Sequence, residues 1–292
     1  MTTIKAFIGR HPVLTYFALT FAISWGGMLL VIGGPAAIPS PSKQAMMRLP
    51  GGIAMMLVGP SVAGLLLTRL VHGRAGIREF VSRLLRWRVG ARWYVAALAA
   101  TPLLMAATLF ALLPTSPVFL PGIFASDNKA SLLLLGIAVG LGAGIFEEIG
   151  WTGFAVPELR LRHGVLVTGL IVGFLWGAWH YLAAFWGSGD SSGAFSLPLF
   201  LPQFLFYVGV LPAYRVLMVW VYDHTESLLV AMLMHASLTS SVLFIFMPLA
   251  ISGRPLLIWY LVLSTALWVI VAIVAVANGM APSRQSLRRR AA

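Results

Sequence analysis

The sequence contains no cysteine and only 8 acidic residues among 292. Lacking cysteine, the chain can form no disulfide framework and offers no thiolate nucleophile or ligand, so thiol chemistry is excluded. Charge of either sign is scarce: 10% of residues are charged and 60% are hydrophobic, against roughly 25% and 45–50% in soluble domains. This composition leaves no soluble domain of useful size. Instead, apolar runs of about 20 residues, enough to cross a hydrocarbon layer about 30 Å thick, recur along the length. The expected fold class is all-α, a polytopic membrane protein with about eight transmembrane helices. They are expected at about 13–33, 52–71, 93–114, 131–156, 165–186, 197–221, 228–250 and 256–277. The first run, Val13 to Gly33, is long for a signal-peptide core and has no clear small-residue cleavage site, so a retained span is expected. Neither an internal repeat nor a low-complexity linker divides the chain, and 1–292 reads as a single membrane domain with a basic cytoplasmic tail over 284–290.

The formal net charge of +12 is unevenly distributed. Eight spans put both termini on one side, whose segments, with Arg160 and Arg215 counted among them, hold 16 Lys and Arg against 4 on the other. The positive-inside rule then places both termini in the cytoplasm, as expected of a multi-pass protein of a bacterial plasma membrane. Orientation and attraction to anionic lipid account for the basic balance, and no nucleic-acid partner is needed. In GRAGIREFVSRLLRWRVGARW, the residues Ile77, Phe80, Val81, Leu84, Leu85 and Trp87 interleave with arginines at helical spacing, which predicts an amphipathic helix in the interface.

Against this background GAGIFEEIGWTGF, Gly142 to Phe154, places Glu147 and Glu148 inside an apolar span. At about 100° per residue, Gly136, Gly140 and Gly144 form one narrow face that includes Glu147, with Glu148 at its edge. Gly169, Gly173 and Gly177 form a second stripe carrying His180. Ser227, Ala231, His235 and Thr239 form a third. Small-residue stripes allow close helix packing, and an acid at mid-membrane costs roughly 2.5–3.5 kcal/mol on insertion scales, which makes it a functional candidate. Glu147, His180 and His235 lie about 10, 16 and 7 residues from the cytoplasmic ends of their helices, compatible with one cavity at 1.5 Å per residue. His11, His72, His163 and His224 map to loops or termini and read as solvated.

EEIGWT (Glu147–Thr152), WGAWH (Trp176–His180) and HASLT (His235–Thr239) occur in the order and spacing of EExxxR, aromatic-xxx-His and HxxxN. In these the sequence resembles the CPBP intramembrane protease family, which includes the type II CAAX prenyl endopeptidases and bacterial proteins linked to bacteriocin processing and self-immunity. The similarity covers about residues 52–250, the expected catalytic core. Thr152 stands where the family usually has Arg, and Thr239 where it usually has Asn. The resemblance implies that the arginine supports the glutamate loop and the asparagine holds the catalytic water or the substrate oxygen. Thr239 can donate one hydrogen bond but lacks the amide's second donor.

The resemblance implies an endopeptidase acting on a membrane-associated peptide or lipidated protein. Glu147 is assigned as general base, His180 as holder of the water with it, His235 with Thr239 at the oxyanion, and Glu148 as an orienting group. No cofactor is required on this reading. One Glu and two His are also a known catalytic zinc set, so Glu147, His180 and His235 as metal ligands remain an alternative. HExxH is absent, as is a GxSxG element. The GSGD at Gly187–Asp190 and the pair Tyr222–Asp223 look like elements of aspartyl intramembrane proteases, but they occur in reverse order and in predicted loops on opposite sides of the membrane. A non-catalytic self-immunity scaffold, or a transporter using the acids and histidines as a proton relay, is the rival reading.

Overall fold

A computed structural model of the chain describes residues 3–38 and 41–278; the tail expected over 284–290 lies outside the described residues. Fourteen α-helices follow in order: α1 (Thr3–Arg10), α2 (Pro12–Ile32), α3 (Lys43–Met56), α4 (Val58–Leu84), α5 (Ala91–Leu112), α6 (Gly122–Ala125), α7 (Lys129–Glu148), α8 (Val156–Arg160), α9 (Val165–Trp179), α10 (Tyr181–Trp186), α11 (Leu197–Leu205), α12 (Leu211–Thr225), α13 (Leu228–Ser240) and α14 (Gly253–Asn278). Three wide turns of the i→i+5 type, Trp151–Ala155, Phe206–Val210 and Ser241–Ile245, continue or join these helices. There is no strand among the described residues. Eight helical stretches are long and apolar enough to cross a membrane, and the protein is an all-α polytopic membrane protein.

The stretches match the expected spans in number and order, with one large difference in extent. The second runs over Lys43–Leu84, far beyond 52–71. Its arginine-rich end belongs to α4, which bends at Gly73, where φ is 64° and ψ is −150°, a conformation that glycine adopts without steric cost. The helix expected in GRAGIREF… therefore exists, but as an extension of a span, and it stops at Leu84. Phe80 anchors it against Leu228 and Met232, while Leu85 and Trp87 lie beyond its end and are exposed.

Proline and polar side chains explain the breaks within spans. Pro60 has no N–H to return to the Met56 carbonyl, and Ser24 Oγ donates to that carbonyl instead at 2.7 Å. The Trp25 indole likewise donates to the Trp179 carbonyl at 2.9 Å. Such cross-helix donors replace the water that a lipid environment cannot supply.

The glycine stripes are packing surfaces. A methyl group at Gly140 would meet the Ala236 carbonyl oxygen at 2.5 Å, and one at Gly144 the Met232 oxygen at 2.5 Å, so α7 lies directly on the backbone of α13. A methyl at Gly169 or Gly173 would meet Val216 Cα or Pro212 Cα at 2.5 Å, which sets α9 on α12. The α7–α13 contact is sealed where Ser240 Oγ donates to the Gly136 carbonyl at 2.8 Å.

Two of the arginines counted toward orientation are not surface charges. Arg160 is 2% exposed and pairs with Asp223 at 2.9 Å, and Arg215 is fully buried. Two of the histidines read as solvated also have partners: His72 meets Glu158 at 2.7 Å, and His224 Nδ1 donates to the Trp220 carbonyl at 2.8 Å.

Candidate active site

Glu147 and Glu148 occupy the last turn of α7, just before a distorted turn at Ile149–Gly150 within the helical stretch that runs on to Arg160. The Gly150 N–H turns to the Glu147 carbonyl at 3.0 Å, and Ser61 Oγ donates to the Phe146 carbonyl. Gly150 packs so closely on Pro60 and Tyr16 that a methyl there would overlap both. The helix thus ends where another chain segment demands glycine, and the two carboxylates are left at the break.

The carboxylates have separate environments. Glu147 is 3% exposed, and its Oε2 accepts from the Trp176 indole at 2.6 Å and from the Trp151 indole at 3.2 Å. Its Oε1 lies 3.8 Å from His235 Nε2, outside direct hydrogen-bond range. Glu148, fully buried, accepts from Arg215 through both oxygens at 2.8 Å, from His235 Nδ1 at 2.7 Å, and from the Thr152 hydroxyl.

His180 sits at a tightened turn between α9 and α10, where its own N–H reaches back to the Gly177 carbonyl at 3.1 Å. Its ring stacks on Tyr207 at 4.8 Å, and Nδ1 meets the Trp176 carbonyl at 2.8 Å. A carbonyl or carboxylate oxygen can only accept, so Nδ1 carries a proton in both His180 and His235. Both rings are then left with Nε2 for the site. On α13, Thr239 follows His235 by one turn.

Glu147, Trp176, His180, Tyr207, His235 and Thr239 line the polar end of a cavity of about 410 Å³, whose remaining wall is mostly apolar, with Met56, Val139, Ala143 and Leu243 among its residues. Four of the five residues expected to act share this cavity. Glu148 does not line it and touches one of its lining residues directly, through His235 Nδ1. Among the described residues, no group of three or more His, Asp or Glu side chains could hold a metal ion. The Glu147, His180 and His235 side chains as arranged therefore do not fit a zinc ligand set.

The aspartyl-type elements lie elsewhere. Asp190 is in an exposed loop, where the Ser192 hydroxyl, and then the Ala194 and Ser192 N–H groups, hold its carboxyl below the ordinary range. Tyr222 and Asp223 belong to the last turns of α12, not to a loop. Their partners are Arg83, at 2.9 Å from the Tyr222 hydroxyl, and Arg160.

Arg215 was not legible as a site residue when counted as an orienting charge. Its position inside one apolar span, in a protein that must bury two acids in another, was the signal for it. The two indole donors to Glu147 had no comparable signal beyond the aromatic position in WGAWH.

Fold and site define a class: a multi-pass membrane protein with a buried acid–histidine cluster facing a membrane-embedded cavity. Residues 129–241 match the family described as type II CAAX prenyl endopeptidase Rce1-like. A relative, CAAX prenyl protease 2 of Methanococcus maripaludis, is 26% identical over 113 residues, covering 38% of this chain and 39% of that protein. Both matches support the CPBP/CAAX protease family for this chain, and the matched segment runs from α7 to the wide turn after α13, enclosing all three motifs.

Proposed function

We propose that the protein is an intramembrane endopeptidase that hydrolyses a peptide bond of a membrane-associated or lipidated substrate with water activated by Glu147. The observation that carries this reading is the convergence of Glu147, His180, His235 and Thr239 on one cavity with a polar end and an apolar wall. Glu147 Oε2 is committed to two indoles, which leaves Oε1 to take a proton from a water also held by His180 Nε2. The resulting hydroxide attacks the scissile carbonyl. His235, as an imidazolium donating through Nε2, and the Thr239 hydroxyl stabilise the oxyanion. Glu147 then delivers its proton to the leaving amine. In this form two carboxylates face Arg215 and His235 with no net charge, the least costly state for a buried ionic cluster. Proton transfer from water to Glu147 preserves that balance, because the negative charge moves to the substrate oxygen beside His235.

The test is a cleavage assay of purified protein against membrane and lipidated peptides, with Glu147→Gln as comparison. The variant keeps the carboxylate's shape, so it should fold while cleavage falls by about 100-fold or more, the scale of a lost general base. A folded Glu147→Gln that cleaves at the wild-type rate overturns the mechanism. A wild type inactive across the panel overturns the endopeptidase reading and favours the non-catalytic scaffold.

A further inference from the structure

Arg215 stands on α12, which carries none of the three motifs, yet its guanidinium contacts Glu148, Trp176 and Thr152 behind the cavity. It grips the two Glu148 oxygens with NH1 and NH2, each at 2.8 Å. It lies 4.2 Å over the Trp176 ring, and NH1 is 3.5 Å from the Thr152 hydroxyl. Each of the first two partners holds a residue of the cavity: Glu148 fixes His235 through Nδ1 at 2.7 Å, and Trp176 donates to Glu147 at 2.6 Å. Thr152, one turn beyond Glu148, occupies the motif position usually filled by arginine, and its hydroxyl also donates to Glu148. The carboxylate that a motif arginine would face is therefore served from a different helix.

We propose, on the basis of the endopeptidase reading above, that Arg215 is the positioning residue of the site, supplying from α12 the guanidinium that the glutamate motif lacks at Thr152. It holds Glu148 against His235 and Trp176 against Glu147, so that base and oxyanion donor keep their relative placement. Arginine suits this task where lysine does not, because only a planar fork can bind both carboxylate oxygens and stack on an indole at once. Arg215 does not itself line the cavity and touches its wall only from behind, through Trp176, so its effect on cleavage is indirect.

The decisive experiment moves the guanidinium between helices. Arg215→Met should lower kcat by about 100-fold, the effect of a misplacement near 1 Å, with KM changed by less than about threefold. Arg215→Lys should lose about 10-fold, since an ammonium keeps the charge but not the fork. The double variant Arg215→Met with Thr152→Arg returns a guanidinium to within reach of Glu148, and should recover most of the lost kcat and of the lost thermal stability. Thr152→Arg alone, which crowds two cations, should stabilise nothing.

A buried-charge role without positioning is separated by Arg215→Met with Glu148→Gln, which removes both charges and restores folded yield if the single variant misfolds. Positioning predicts that this double stays slow, and wild-type kcat in it overturns the proposal. Failure of Thr152→Arg to restore stability to Arg215→Met also overturns it, in a readout that needs no substrate. If wild type cleaves nothing, the endopeptidase reading fails and the catalytic part of the proposal fails with it, while the stability exchange still decides whether Arg215 fills the motif arginine's place.

Discussion

Glu148 and Arg215 meet as a closed two-point pair, carboxylate to guanidinium, with both contacts at 2.8 Å and neither side chain exposed to solvent. Glu148→Ala leaves the cation without its partner in a site that water does not reach. Breaking a buried pair in this way costs about 3–5 kcal/mol, and thermal unfolding in detergent should register a loss of that size. A loss below about 1 kcal/mol, the range of a solvated pair, would mean that the guanidinium finds other compensation.

Exhaustive chelation should leave cleavage intact, and the purified protein should contain substoichiometric zinc, because the proposed water activation is performed by Glu147 and His180. Metal analysis beside an activity assay checks this. Activity lost to chelator and restored by zinc alone would make Glu147, His180 and His235 ligands and require the three side chains to draw closer than their present placement.

Two glycines two residues apart on α7 should respond in opposite directions. Gly140→Ala drives a methyl into the Ala236 carbonyl of α13, and overpacking of this kind costs about 1–3 kcal/mol. Gly142 has open space around it, so Gly142→Ala should be neutral or stabilise by about 0.5–1 kcal/mol through helix propensity. Comparing the two unfolding temperatures measures how far the stripe is a contact surface. Equal effects would contradict the packing.

Reporter fusions test the orientation drawn from the basic residues. A reporter placed within Arg74–Arg92, or at the C-terminus, should signal cytoplasm, and one within Pro35–Pro50 the opposite side. Removing Arg160 and Arg215 from the count, because both are buried in ion pairs, leaves a bias of the same sign. A far-side signal at the C-terminus would contradict an even number of crossings.

The spans were legible because burial in lipid requires unbroken apolar runs, a strong compositional signal. The faces carrying Glu147, His180 and His235 were legible because helical periodicity survives even where the helix is interrupted nearby. The interruptions were less visible. His180 keeps helical dihedrals, φ −79° and ψ −14°, so nothing in a periodic pattern marks its tightened turn. The end of α7 at Glu148 depends on Gly150 meeting Pro60, a contact between residues 90 positions apart in sequence. Arg215 was misread for a related reason: a loop-charge tally treats every arginine as facing water, whereas this one is defined by a carboxylate on another helix.

The wide turns at Phe206–Val210 and Ser241–Ile245 lend two residues each to the cavity wall, Phe206 with Tyr207 and Val242 with Leu243. A turn of this kind contains one residue more than an α-turn over the same path, and such bulges occur frequently at functional sites. The segment that shapes the chamber next to Thr239 is therefore mechanically offset from the segment that bears His235, although both belong to one continuous rod. On the proposed endopeptidase reading, a substitution at Val242 or Leu243 changes the chamber wall at a point beyond the helical turn that bears His235. Under that reading, the shape of the chamber and the placement of the imidazole are set by different parts of a single helical stretch.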